Sequence, residues 1–185
     1  MERKFAIEVY KQHGFKKLLS IEDNLEIGKF KFWVVYYGDD FKATRRVFAY
    51  VNIDDVRGAL ASLENMTFPK VYTDGLEIYG GGGDPVMSRV LRVTYEEVKS
   101  GKLAGKMGFV VKITNGPGER LGKGGVKPTR GADREEGAFV FSIAEAQNMA
   151  ANVIDYWQAW QMRNLHVLYN EEGKKRPNLR EAKIA

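Results

Sequence analysis

Lys29-Phe30-Lys31-Phe32-Trp33-Val34-Val35-Tyr36-Tyr37 interleaves basic, aromatic and β-branched side chains and stops at Gly38-Asp39-Asp40. Such density of aromatic and branched residues predicts a strand, and Gly-Asp-Asp is turn chemistry. A strand repeats every two residues. Phe30, Phe32, Val34 and Tyr36 therefore share one face, and Lys29, Lys31, Trp33, Val35 and Tyr37 share the other.

Working outward, Arg45–Val51 reads as a second strand. Between 53 and 65 the period changes, because Val56, Ala59, Leu60 and Leu63 fall at i, i+3, i+4 and i+7, one face of a helix. Upstream, about 3–10 and 15–27 are expected to be strands, with helix over 3–13 or 15–21 as the alternative. Downstream, Val71-Tyr72-Thr73-Asp74-Gly75-Leu76-Glu77-Ile78-Tyr79 is predicted to be a hairpin turning at Asp-Gly. Gly80–Gly83 should break it. Strands are expected at 88–95, 108–114 and 139–141. The connection 115–137, with seven glycines and five basic residues, is expected to be mobile. A helix is predicted from about 143 to 169, and a basic tail over 170–185, with Lys174-Lys175-Arg176-Pro177, is expected to be disordered.

A shift of 90 residues lays Asn52-Ile53-Asp54-Asp55 over Ser142-Ile143-Ala144-Glu145. Ser142/Glu145 has the form of a capping box, and Asn52/Asp55 is a shorter-armed version. The same shift matches Ala61 with Ala151 and Leu63 with Val153. The expected class is thus α+β: two similar ββββα halves, about 3–66 and 70–169, forming antiparallel sheets packed with helices in one compact domain over 1–169, with a long C-terminal helix.

The chain has 185 residues, 29 Lys and Arg against 24 Asp and Glu, and a net charge of +5. That surplus favours a polyanionic partner. No cysteine is present, which excludes disulfides, cysteine-ligated metals and thiol catalysis. The two histidines, His13 and His166, give little basis for a metal site or a Ser-His-Asp triad. No apolar run approaches the ~20 residues that span a bilayer, and the N-terminus lacks a signal peptide's apolar stretch. The protein is expected to be intracellular: cytoplasmic or nucleoid, or virus-encoded and acting inside a host cell.

The non-core face of 29–37 suits single-stranded nucleic acid. Bases stack on aromatic rings for about 1–3 kcal/mol each, and lysines meet phosphates. Trp33 and Tyr37 are the stacking candidates and Lys29 and Lys31 the phosphate contacts. Burial of both rings under another layer is the alternative. Arg45 and Arg46 begin another strand, and outward-facing Arg92 and Lys112 would add to one basic sheet face. Arg120, Lys123, Lys127 and Arg130 stud the glycine-rich loop at 115–131, which would close as a flap. The loop is not a P-loop, since no Gly-Lys-Ser/Thr follows a four-residue spacer. Asp39/Asp40, Asp54/Asp55, Glu96/Glu97 and Glu135/Glu136 are the acids a metal-dependent reaction would draw on. On the terminal helix Ala146, Met149, Val153, Tyr156 and Trp160 form a stripe beside Trp157, and the excess length through Leu165, Val167 and Leu168 points to a homo-oligomer.

The strand Lys29–Tyr37, the repeated caps Asn52/Asp55 and Ser142/Glu145, and the strands 88–95 and 108–114 together resemble the Whirly fold of single-stranded DNA-binding proteins and the related PUR-repeat proteins. The pattern covers about 3–169. The archaeal ThermoDBP single-strand binders are a second comparison, through a basic domain followed by an associating helix. The resemblance implies single-strand binding with little sequence preference and tetramers assembled through the helices. The expected function is non-catalytic binding of single-stranded DNA or RNA, with no cofactor. A metal-dependent nucleic-acid-processing enzyme and a scaffold or viral structural protein are the alternatives.

Overall fold

Alternation carries the first sheet. The computed structural model describes residues 7–122 and 125–164. Strands β1 (Glu8–Gly14), β2 (Lys17–Asn24), β3 (Lys29–Tyr37) and β4 (Ala43–Asn52) pair in sequence order, each antiparallel to the next. The N-terminal segments are therefore strands and not helices. Phe30, Phe32 and Val34 of β3 are buried, as are Val47, Ala49 and Val51 of β4. They form the inner face. Helix α1 (Ile53–Glu64) follows and buries Ile53, Val56, Ala59, Leu60 and Leu63, the stripe expected from its spacing.

The second half also runs strands into a helix, but with five strands where the first half has four. Strands β5 (Leu76–Gly82), β6 (Met87–Glu97) and β7 (Met107–Arg120) pair in order. A short β8 (Val126–Pro128) pairs with the end of β7, and β9 (Glu135–Phe141) with its beginning. Helix α3 (Ile143–Arg163) closes the half. The class is α+β, with two antiparallel sheets and a long C-terminal helix. No helix among the described residues is long and apolar enough to cross a membrane.

Three expectations are corrected. Val71 does not pair across Asp74-Gly75: Phe68–Val71 is a short helix, α2, and Gly75, at φ +83, turns the chain from it into β5. Leu76 instead pairs with Val93 downstream. Gly80–Gly82 do not break the strand but pair with Arg89, Ser88 and Met87. The stretch 115–137 is largely ladder rather than a mobile loop. Met87 pairs with Pro117, and Gly118–Arg120 pair with Val126–Pro128. Glycine is needed there for close approach. A Cβ on Gly118 would stand 2.5 Å from Val126 Cγ1 and 2.8 Å from the Ser88 nitrogen.

The caps differ. Glu145 N–H donates to Ser142 Oγ at 3.3 Å, and Ser142 N–H donates to Glu145 Oε2 at 2.8 Å, a complete capping box. Asn52 makes no such bond to its helix; its amide donates to the Asp55 carboxylate at 2.8 Å. On α3 the buried residues are Ala146, Met149, Ala150, Val153 and Trp157. Tyr156 and Trp160 are only half-buried, because the stripe rotates onto Trp157. Asn148, Asn152, Asp155, Gln158 and Met162 are exposed, and the excess length expected to form the oligomer lies beyond them. Leu165, Val167, Leu168 and the tail lie outside the described residues.

One hydrophobic cluster draws on both sheets and on α1 and α3. Phe30, Phe68, Phe109 and Phe141 sit fully inside it, each worth roughly 1.5–3 kcal/mol by burial. β9 lies directly on the inner face of the first sheet: a Cβ on Gly137 would meet Val34 Cβ at 3.0 Å and Val47 Cβ at 3.2 Å. The Tyr36 hydroxyl accepts the Ala138 N–H at 2.9 Å, and Lys17 Nζ donates to the Ala138 carbonyl at 3.1 Å. From α3, the Tyr156 hydroxyl donates to Asp23 Oδ2 at 2.6 Å. Burial, then the Asp23 carboxylate, hold that phenol's pKa far above its usual value.

Candidate functional site

β9 and the core occupy the inner face of the β1–β4 sheet, which leaves its other face to the second set of β3 side chains. Register aligns them with those of β4: Lys31 opposes Tyr50, Trp33 opposes Phe48, and Val35 opposes Arg46. The Trp33 and Phe48 rings lie 5.0 Å apart and tilted, and Phe48 meets Tyr50 edge-on at 5.7 Å. Lys31 Nζ sits 3.5 Å from the Trp33 ring centroid, 4.7 Å from Phe48 and 5.4 Å from Tyr50. Arg89 reaches round from β6, its guanidinium carbon 4.6 Å from Phe48. Two cations thus lie over one aromatic cluster, all of it half-buried.

Each such contact is worth about 0.5–2 kcal/mol, more as water is excluded. Burial pushes the Lys31 pKa down from its ordinary value, with Arg89 adding to that and Glu22 opposing it. Trp33 Nε1 is buried without a hydrogen-bond partner. Of the other residues predicted on this strand, Lys29 stands opposite Asn52 at its start, and Tyr37 lies half-buried at its turn end.

The remaining predicted cations do not join this face. Arg45 opposes Tyr36 and lies 4.1 Å over its ring, on the core-side parity; its neighbour Arg46 is on the aromatic face. Arg92 and Lys112 project from the other sheet, so one continuous basic face is not formed. There Arg92 Nη1 meets Glu77 Oε1 at 3.1 Å, and Lys112 Nζ meets Glu136 Oε2 at 2.7 Å. Tyr79 also donates to Glu77, which raises its pKa together with burial. These residues line a depression of about 440 Å³ with Thr94, Thr114 and Arg134.

Arg120 is tied to the Gly83 carbonyl at 3.2 Å, and Lys127 pairs with Glu119 at 3.2 Å. Arg130 is exposed, and Lys123 lies outside the described residues. Strand pairing on both sides of the turn replaces the expected flap.

Among the described residues no three acidic or histidine side chains gather as a metal site. Asp39 and Asp40 pair with Lys16 and Lys42.

Phe48, Tyr50 and Arg89 were not among the predicted residues. The first two were accessible from alternation, since Val47, Ala49 and Val51 being inward puts Arg46, Phe48 and Tyr50 outward. Arg89 had no local signal, because it belongs to the other sheet. The chain matches no family model, no curated protein and no solved structure.

Proposed function

We propose that the chain binds single-stranded nucleic acid, DNA or RNA, along the aromatic face of the β1–β4 sheet, in the manner of Whirly-like and PUR-like binders. The observation that carries this is the cluster of Trp33, Phe48 and Tyr50 with Lys31 and Arg89 upon it. A sheet face exposed only to water has no need of three rings. Bases stack on such rings without regard to sequence, and cations among them meet the phosphates. Lys31 occupies the position over Trp33 that a base would take. Binding therefore moves its ammonium from ring to phosphate, and the phosphate restores the charge that burial disfavours.

The outward face of the second sheet takes no part in this reading, because Arg92 and Lys112 are matched by Glu77 and Glu136; from that sheet the reading draws on Arg89, which reaches Phe48. The experiment is titration of fluorescent oligo-dT, oligo-U and a matching duplex at two salt concentrations, following anisotropy and tryptophan emission. Preference for single strands with quenching is expected. Absence of binding to all three at low salt would overturn the proposal.

A further inference from the structure

The outward face of the second sheet is hollow, and its side chains explain why. Register sets Tyr79, Val90, Thr114 and Glu136 side by side across β5, β6, β7 and β9, and Glu77, Arg92 and Lys112 in the adjoining row. Thr94 and Val110 pair farther along β6 and β7. The two long side chains of the middle strands are drawn apart. Arg92 leans to Glu77 on β5, at 3.1 Å, and Lys112 to Glu136 on β9, at 2.7 Å. Short Val90, Thr94, Val110 and Thr114 are left as the floor of the 440 Å³ depression, a size within the ~300–1,000 Å³ of small-ligand sites.

The charges of this hollow cancel: Arg92, Lys112 and Arg134 stand against Glu77, Glu96 and Glu136. An ionic ligand would have to break a pair or face the opposite group. A hydroxyl need do neither, because a paired guanidinium keeps N–H groups to donate and a paired carboxylate keeps lone pairs to accept. Arg92 meets Glu77 through Nη1, and Lys112 meets Glu136 through Oε2, so both pairs retain capacity. The Thr94 and Thr114 hydroxyls have no hydrogen-bond partner among the described residues. Tyr79 stands at the side with its ring 52% exposed and its hydroxyl fixed by donation to Glu77. Aromatic face, aliphatic floor and fixed donors and acceptors thus meet in one uncharged hollow.

That combination matches a pyranose, whose C–H face packs on a ring while each hydroxyl both donates and accepts. We infer that the depression on the β5–β7 and β9 face is a binding site for a neutral saccharide, with Tyr79 under the sugar ring, Thr94 and Thr114 on its hydroxyls, and the Arg92–Glu77 and Lys112–Glu136 pairs on the hydroxyls at either side. This site is separate from the aromatic face of the first sheet and does not rest on nucleic-acid binding there.

Proton–nitrogen NMR spectra of the full chain, titrated to about 10 mM with maltohexaose, cellohexaose and chitohexaose in turn, test it. Saturable shifts at the amides of Tyr79, Arg92, Thr94, Lys112 and Thr114 are expected with at least one of the three. Affinity should be the same at about 50 and 200 mM salt, because a neutral ligand displaces no counterions. Tyr79→Ala should weaken binding about tenfold, as loss of an aromatic anchor does, and Thr94→Val/Thr114→Val should weaken it with the shape of the floor kept. Both variants should retain the parent's melting temperature and its affinity for oligo-dT. No saturable shift at these amides with any of the three sugars would overturn the inference. Shifts produced instead by inorganic phosphate and lost at the higher salt would also overturn it, in favour of an anion.

Discussion

The two sheets are both antiparallel and differ in what their outward faces carry. On the outward face of β3 and β4, Lys31 rests on the rings of Trp33, Phe48 and Tyr50, Arg89 reaches Phe48 from β6, and Arg46 stands opposite Val35. On β5–β7 and β9 the outward cations Arg92 and Lys112 rest on carboxylates. The comparison separates the presence of charge from its availability. A lysine over an aromatic ring can exchange that contact for a phosphate while the ring exchanges it for a base. A lysine on a glutamate must first give up a matched partner, and the glutamate then repels the incoming phosphate. Counting cations makes the two faces equivalent; tracing their partners does not.

The largest expected effect that would break the comparison lies at Trp33. Trp33→Ala should weaken single-strand binding by about 1–3 kcal/mol, and Trp33→Phe by less, whereas Tyr79→Ala on the other sheet should leave affinity unchanged. Equal losses at Trp33 and Tyr79, measured by anisotropy, would erase the distinction between the faces. Next comes salt. Lys31→Ala should lower the slope of log affinity against log salt by roughly 0.7, while the double change Arg92→Ala/Lys112→Ala leaves it in place. A slope that responds to the double change instead would move the site to the second sheet.

The pH response sharpens the same point. Lys31 has a lowered pKa in the free protein, and a bound phosphate favours its charged form, so the complex holds the proton more tightly than the free chain does. Affinity is then fully present below the free-state pKa and falls as pH rises through it toward the ordinary lysine value of about 10.4. Lys31→Arg should abolish that component, since arginine stays charged there. Matching pH profiles for the two proteins would separate Lys31 from the contact. The smallest effect concerns stability: Glu136→Gln removes one exposed ion pair and should cost about 0–1 kcal/mol in denaturant unfolding.

Where a local rule determined the outcome, the sequence was legible. Alternation over Lys29–Tyr37 places every core residue of β3, and the capping box at Ser142/Glu145 starts α3 as its residues dictate. Misreadings arose where a local signal had two physical meanings. Asp74-Gly75 suits a hairpin, yet here it turns a short helix into a strand whose partner lies downstream. Glycines at 116 and 118 suggest flexibility, whereas Gly118 lets β7 pass within contact of Ser88 and Val126. For the site, Trp33 and Lys31 were readable from parity. The partners that silence Arg92 and Lys112 were not, because register between β5, β6, β7 and β9 decides which glutamate each one meets. Arg89 was hidden for a related reason: it reaches Phe48 across two sheets.

The crossing of β9 over the first sheet has a consequence during synthesis. The first four strands and α1 are translated long before Gly137, which covers Val34 and Val47. Some 85 residues lie between Asn52 and Gly137. At roughly 5–20 residues per second that is on the order of 4–17 seconds. Throughout that interval the nascent first half presents an uncovered apolar surface to the cell. A ribosome that stalls between α1 and β9 leaves that surface as a target for chaperones and for other nascent copies.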